Sequence, residues 1–408
     1  MQIYAEKKDC CGCGACLNIC PKHAISMQED EYGFIYPAID QTTCVNCGLC
    51  KDVCAKSTHQ ETNKPLSVFA GISKNTDILQ SASGGIFASL ATSVINDGGI
   101  VYGVSMETIN NVLAPMHIMV DDIAHLHKLL GSKYVQSFTE FCFTDVKKYL
   151  DANRTVLFSG TPCQIAGLKG FLGKDYPSLF LIDIICHGVP NARFFSDYTK
   201  LLENKLRGKI NNIVFRDKQN GWGLTANVSY TTRNGNCKSV LLPSRTSSFY
   251  SLFLNSSIYR ECCYSCKYAS NNRPGDITVG DYWGIQKEHP ELTNSNPRRI
   301  NILDGCSCIL VNSSKGNYLL SKYVNKLDLY PSTFEKVAKH NRQLIEPSGL
   351  NTTRKSILKT YVNHGYKKVD LNFRKTNRKV IYFESLKIRI PVLLRIKVKM
   401  FISRFLLR

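Results

Sequence analysis

Cys10, Cys13, Cys16 and Cys20 are separated by two, two and three residues, and Cys44, Cys47, Cys50 and Cys54 repeat that run about 34 positions later. Few chains can accommodate such a pattern. Thiolates at i, i+3 and i+6 wrap three corners of one 4Fe-4S cubane, and a helix start carries the fourth cysteine to the neighbouring cluster. The expected ligand sets are therefore crossed: Cys10, Cys13, Cys16 and Cys54 on one cluster, Cys44, Cys47, Cys50 and Cys20 on the other. Structural zinc would want two separated Cys-x2-Cys pairs, and two runs of three close cysteines serve it poorly. Cys11 falls outside the spacing and reads as a bystander. Gly12, Gly14 and Gly48 give the loops room near the clusters. They form no dinucleotide fingerprint, because no strand–turn–helix surrounds them.

The other cysteines divide the chain. Of the 18, nine lie in the first 54 residues and the next is Cys142. A polar stretch at 55–65 ends the first unit, so residues 1–62 are read as a ferredoxin-type domain with two clusters. Beyond it, strand-like and helix-like segments alternate. Strands are expected at Leu66–Ile72, Ile100–Ser105 and Met116–Val120, with helices at Gly84–Asn96, Asp121–Leu130 and Phe141–Ala152. Thr155–Phe158, Cys163–Leu172 and Leu179–Ile185 read as a βαβ unit. Asn234-Gly235 marks a hairpin between Leu224–Thr232 and Cys237–Leu242. The expected class is α+β: a ferredoxin-type domain, then a mixed α/β core in two parts (63–152 and 153–335), then a basic tail (336–408).

Within the βαβ unit, Cys163 and Cys186 each follow a strand. Parallel strands in such a unit end on the same side, where open α/β sheets place ligands. Cys263-x2-Cys266 adds a pair with chelating spacing, so Cys163, Cys186, Cys263 and Cys266 could hold a third cluster. Cys262 is the alternative to Cys263. Buried cysteines acting as small apolar residues are the plainer reading of Cys163 and Cys186.

These residues resemble a known family. Ser81-Ala82-Ser83-Gly84-Gly85, Gly131-Ser132-Lys133-Tyr134-Val135-Gln136-Ser137, Gly160-Thr161-Pro162-Cys163-Gln164 and Cys186-His187-Gly188-Val189-Pro190 are similar to stretches of the coenzyme F420-reducing hydrogenase beta subunits. So are Phe215-Arg216-Asp217-Lys218, Cys263-Tyr264-Ser265-Cys266 and the run from Gly275 to Gly284. The fused ferredoxin unit is similar to the bacterial branch, whose members accompany polysaccharide-synthesis enzymes. The resemblance implies an FAD-dependent oxidoreductase, with Ser83, Gly84, Gly85, Lys133, Tyr134, Gln136 and Ser137 as flavin contacts. Clusters pass single electrons and hydride carriers take two, so a flavin belongs between them. The implied partners are a reduced donor, such as a ferredoxin, and a small organic acceptor. His187 and Lys218 are the candidate catalytic residues. His187 would tune a cluster or move a proton, its plainer role being a turn histidine. Lys218 and Arg216 would hold an anion, their plainer role being solvated charges. A carrier or redox sensor without flavin is the alternative function.

The charge of +20 is concentrated near the end. Residues 354–408 hold 16 Lys/Arg against Asp370 and Glu384, leaving a nearly neutral body and no argument for nucleic acid. From Leu386 to Met400 apolar residues alternate with mostly basic ones, and Arg404 and Arg408 suit a helical turn. This composition suits an anionic membrane surface or an acidic partner, or else packing on the body. The first residues carry no apolar segment of a secretory signal, and no apolar run nears the length of a span. A cytoplasmic chain, with at most peripheral membrane contact, is expected.

Overall fold

Along the central strands, successive side chains enter two different cores, as the two-residue period of a strand requires. Ile100 and Tyr102, Val156 and Phe158, and Leu179 and Leu181 share one cluster, while Val101, Leu157, Phe180 and Ile182 join another. The sheet that carries them is therefore covered on both faces. The protein is described by a computed structural model for residues 2–56, 61–75, 77–109, 112–294, 299–388 and 390.

In the first unit, β1 (Ile25–Glu29) and β2 (Ile35–Ile39) form an antiparallel pair between the two cysteine runs. Each run turns into a short helix, Ala15–Ile19 or Leu49–Asp52. Gly14 and Gly48 cap these helices with φ of 85° in both cases, a left-handed conformation that glycine adopts at no steric cost.

The core follows with β3 (Ser67–Ser73), β4 (Ile100–Ile109), β5 (Val112–Val120), β6 (Val156–Gly160) and β7 (Leu179–Ile184). A separate antiparallel sheet holds β8 (Gly208–Val214), β9 (Thr225–Thr232) and β10 (Cys237–Pro243). Then come β11 (Ile277–Asp281), β12 (Ser307–Val311) and β13 (Leu327–Ser332). The large sheet has eight strands in the order β13-β3-β12-β11-β7-β6-β4-β5. β4, β6, β7 and β11 run parallel, and β5, β12, β3 and β13 add antiparallel pairs outside them. The two expected parts of the core thus share a single sheet. One face carries the helix Ile86–Asn96. The other carries Cys142–Asp151, Pro162–Leu172 and, beyond them, Ala15, Val53 and Ala55 of the ferredoxin unit.

Two expectations change. The helix expected over Asp121–Leu130 is a short helix, Ile123–Leu126, tightening into a 3-10 turn, His127–Leu129. There the Lys133 ammonium draws the carbonyls of Leu130 (2.7 Å) and Lys128 (3.0 Å) away from helical use. The segment from residue 336 is a helical tail whose first part packs on the body, while the helix Arg378–Lys387 buries none of its residues. Val337, Ala338 and Leu344 are core residues, and the helix Arg354–Thr376 lays Leu358 on Cys10, Phe34 and Tyr36. A break at Gly365 (φ 70°, ψ 174°) re-phases that helix, so that Tyr361, Tyr366 and Val369 all enter one aromatic cluster. Its buried Asp370 accepts from Arg374 (2.8 Å) on the same helix and from Lys205 (2.5 Å) on the helix Ala192–Leu206. Leu386 and Lys387 end a further helix, Arg378–Lys387, rather than opening an alternating segment. Residue 389, residues 391–400, and Arg404 and Arg408 lie outside the described residues.

Candidate cluster and flavin sites

The eight N-terminal cysteines fall into two groups, and the grouping is crossed. One cavity is lined by Cys10, Cys13, Cys16 and Cys54, and another by Cys20, Cys44, Cys47 and Cys50. The fourth cysteine of each run lies at the end of a helix that carries it to the other loop. Burial pushes the Cys10 thiol up to about 12, so ionising it needs a nearby cation.

A third cavity opens at the carboxyl ends of β6 and β7. Thr161 caps the helix Pro162–Leu172 in a capping box with Gln164, which fixes Cys163 in the first turn. Cys186 follows the end of β7, and the 3-10 turn Glu261–Ser265 brings up Cys262 and Cys263 ahead of Cys266. All five thiols line the cavity, with His187 and Arg273 beside them. It encloses about 660 Å³ counted out to its open mouth. Cys11 also lines it, and lines the cavity of Cys10 as well, so the residue outside the spacing stands on the wall between two sites. Among the described residues no three Cys, His or carboxylate side chains close on a point as a single bound ion needs. The thiols ring cavities instead, which suits a bulky cluster.

The ferredoxin unit is clasped onto the core beside these cavities. Thr139 Oγ1 donates to the Cys13 carbonyl (3.0 Å), Asn18 Nδ2 to the Glu140 carbonyl (2.6 Å) and the Tyr268 hydroxyl to the Ala55 carbonyl. Gln136 Nε2 reaches the carbonyls of Cys11 (3.2 Å) and Gly12 (3.4 Å). Ser137 is buried against His117 Nδ1 (3.2 Å) and Gln164 Nε2 (3.0 Å). Gln136 thus spans this seam, while Ser137 bonds within the core.

The other expected flavin contacts lie elsewhere. Gly85 caps the helix Ile86–Asn96 with no side-chain bond to its first turn, a place where backbone N–H groups attract phosphate. Lys218 Nζ donates to the Ser83 carbonyl (2.7 Å) and the Asp304 carbonyl (2.5 Å), and burial lowers its amine to about 8. Gly84 is packed so closely on the Gly71 carbonyl and Ser307 that it has no room for a Cβ. Lys133 is spent on its own turn, and the Tyr134 ring stacks on Phe253 at 4.5 Å while its hydroxyl accepts from Arg216 (3.3 Å). Arg216 is not a solvated charge: it is buried and paired with Asp281 at 2.6 Å. Trp222 donates to the same Asp281 (2.9 Å) and stacks on Trp283 at 4.7 Å. His187 is exposed, its carbonyl held by Ser348 (2.6 Å), and its ring feels the charges of Asp281 and Arg216.

Residues 153–336 match the C terminus of the coenzyme F420 hydrogenase/dehydrogenase beta subunit, and residues 9–58 match the 4Fe-4S dicluster domain. The second part of the core is thus similar to that beta-subunit family. Cys163, Cys186, Cys262, Cys263 and Cys266 all fall inside the part that matches it. The chain is also similar to a chain of the F420-reducing NiFe hydrogenase complex from Methanosarcina barkeri, at 17% identity, a TM-score of 0.42, and coverage of 79% of this chain and 94% of that one. No curated protein matches. The dicluster domain and the beta-subunit match support an iron–sulfur redox protein related to oxidoreductases. No described helix is long and apolar enough to cross a membrane.

Proposed function

We propose that the chain is an iron–sulfur flavoprotein oxidoreductase, taking electrons from a reduced donor protein and delivering them to a small organic acceptor. One observation carries the reading: the third thiol-lined cavity shares Cys11 with the first ferredoxin cavity, and its His187 feels the charges of the Asp281–Arg216 pair that also holds Trp222. Cys163, Cys186, Cys263 and Cys266 would hold a third cluster, and Ser83, Gly85 and Lys218 the anionic part of FAD. Bound there, a flavin exchanges one-electron for two-electron chemistry. The chain's own residues position and shield. Arg216 and Asp281 neutralise each other while orienting Trp222, and His187 stands at the mouth as the group able to hold a proton. Lys218 places a positive charge on the loop ahead of the helix.

The donor would dock at the far cavity, where Cys47 is exposed and Val45 and Leu49 present 57% and 40% of their surface. Exposed Tyr382 and Phe383 among Arg378, Lys379 and Lys387 support a peripheral contact with an anionic surface on the cytoplasmic side. The test is iron, acid-labile sulfide, zinc and released flavin per chain after anaerobic purification. About twelve irons with matching sulfide and one FAD are expected for three cubanes and a flavin. About eight irons and no flavin after reconstitution would leave an electron carrier with a partner-binding core.

A further inference from the structure

Arg260 is fully buried at 0% exposure. Its Nε donates to the Cys10 carbonyl (2.7 Å), and its Nη1 to the Ile35 carbonyl (2.8 Å) and Gln136 Oε1 (3.3 Å). Its Nη2 reaches the Cys10 Sγ at 3.4 Å, and its guanidinium lies 4.1 Å from the Tyr36 ring centroid. The other two buried arginines, Arg216 and Arg273, each hold an aspartate at 2.6 Å. Among the described residues no carboxylate pairs with Arg260. A guanidinium keeps its proton, and a buried charge with no counter-ion is strongly disfavoured. Besides the Tyr36 hydroxyl, the groups facing it that can carry negative charge are the thiols of Cys10, Cys262 and Cys11. The missing negative charge is therefore supplied by the thiolates and what they bind.

We propose that Arg260 sets a reduction potential: held on Cys10, its charge raises the potential of the cluster bound by Cys10, Cys13, Cys16 and Cys54 above that of its neighbour. This rests on the cluster reading above. Reduction adds one electron from a one-electron donor, with no bond made or broken. The added negative charge is stabilised by a fixed cation and by hydrogen bonds to the ligand sulfur. The far cavity has Lys22 in its wall, but that side chain is exposed and water screens it. Asp9 lines the near cavity and opposes Arg260, yet it is half-exposed while the guanidinium is wholly buried. An electron entering at the exposed end therefore settles beside the core.

The experiment is a potentiometric titration of the anaerobic holoprotein, poised with dithionite and followed by electron paramagnetic resonance. Cys47→Ser, at the exposed position, identifies the signal of the far cluster. In Arg260→Gln the near cluster's reduced-to-oxidised ratio at fixed potential should fall at least tenfold, which is 59 mV for a one-electron couple. The far cluster should not move. Gln136→Glu keeps the arginine and adds a carboxylate at its Nη1, so it should lower the same potential, and it decides the matter if Arg260→Gln does not fold. Unmoved potentials, or equal movement of both clusters, would overturn the proposal. A wild-type protein with no low-potential cluster signals would instead defeat the cluster reading itself.

Discussion

Gly167 lies directly against Cys13: a Cβ built on Gly167 would stand 2.8 Å from the Cys13 Sγ and 3.0 Å from its Cβ. Alanine is the better helix former by about 1 kcal/mol, so the helix Pro162–Leu172 itself would gain from the change. Any loss in Gly167→Ala must come through the contact with Cys13. We expect iron per chain to fall by about a third, the share of one cubane in three. Full iron retention would mean that the seam yields to the extra methyl.

Cys163→Ala and Cys186→Ala should each remove one cluster and spare the ferredoxin unit, whose thiols line other cavities. Sulfide analysis and resonance spectra of the two variants decide this. Unchanged iron would return both residues to the status of apolar core. Comparing Cys262→Ala with Cys263→Ala under the same assay shows which one ligates, Cys263 being expected from its spacing to Cys266.

Asp183 is buried at 0% exposure and accepts from Arg273 Nη2 (2.6 Å) and Nε (3.1 Å) and from the Gly275 N–H (2.9 Å). Asp183→Asn leaves a guanidinium uncompensated inside the fold, which costs about 3–5 kcal/mol. Because Arg273 lines the third cavity, the same variant should lose iron there. Chemical denaturation checks the first effect and metal analysis the second. A variant as stable as the parent would show that Arg273 finds another partner.

His117, on β5, is packed flat on Phe158 at 5.3 Å, with Nε2 near the Ser159 carbonyl (3.2 Å). Burial lowers its pKa from 6.5 to about 4. A histidine held neutral in the fold is protonated more readily when unfolded, so its stability contribution is complete above pH 6.5. It is lost as the pH falls toward 4, by about 2 kcal/mol at pH 5. Urea titrations between pH 7 and 5 should show that slope, and His117→Gln should remove it. An equal slope in the variant would assign it to other groups.

Cysteine spacing is local, so the crossed grouping of the cysteines around two cavities is legible in the chain alone. Cys163 and Cys186 are legible because each follows a strand of one βαβ unit. The position of Cys11 is not, since residues 11 and 163 meet only after one unit docks on the other, and no periodicity records a docking. Gln136 takes its expected role from resemblance alone, and its neighbours in sequence carry no sign of the seam it spans. In the C-terminal segment, the density of charge hides a helical pattern. Leu358 and Tyr361, then Tyr366, Val369 and Phe373, keep the spacing of one buried face on each side of the Gly365 break.

Ala15 and Ala55 are wholly buried and Val53 nearly so, and all three share one cluster with Phe143, Phe158 and Leu168. The first unit thus has a small cluster of its own around Ile3 and Ile25 but shares the rest of its apolar interior with the sheet behind it. Severing the chain between the two would leave two raw apolar faces in water rather than a working wire and a working core.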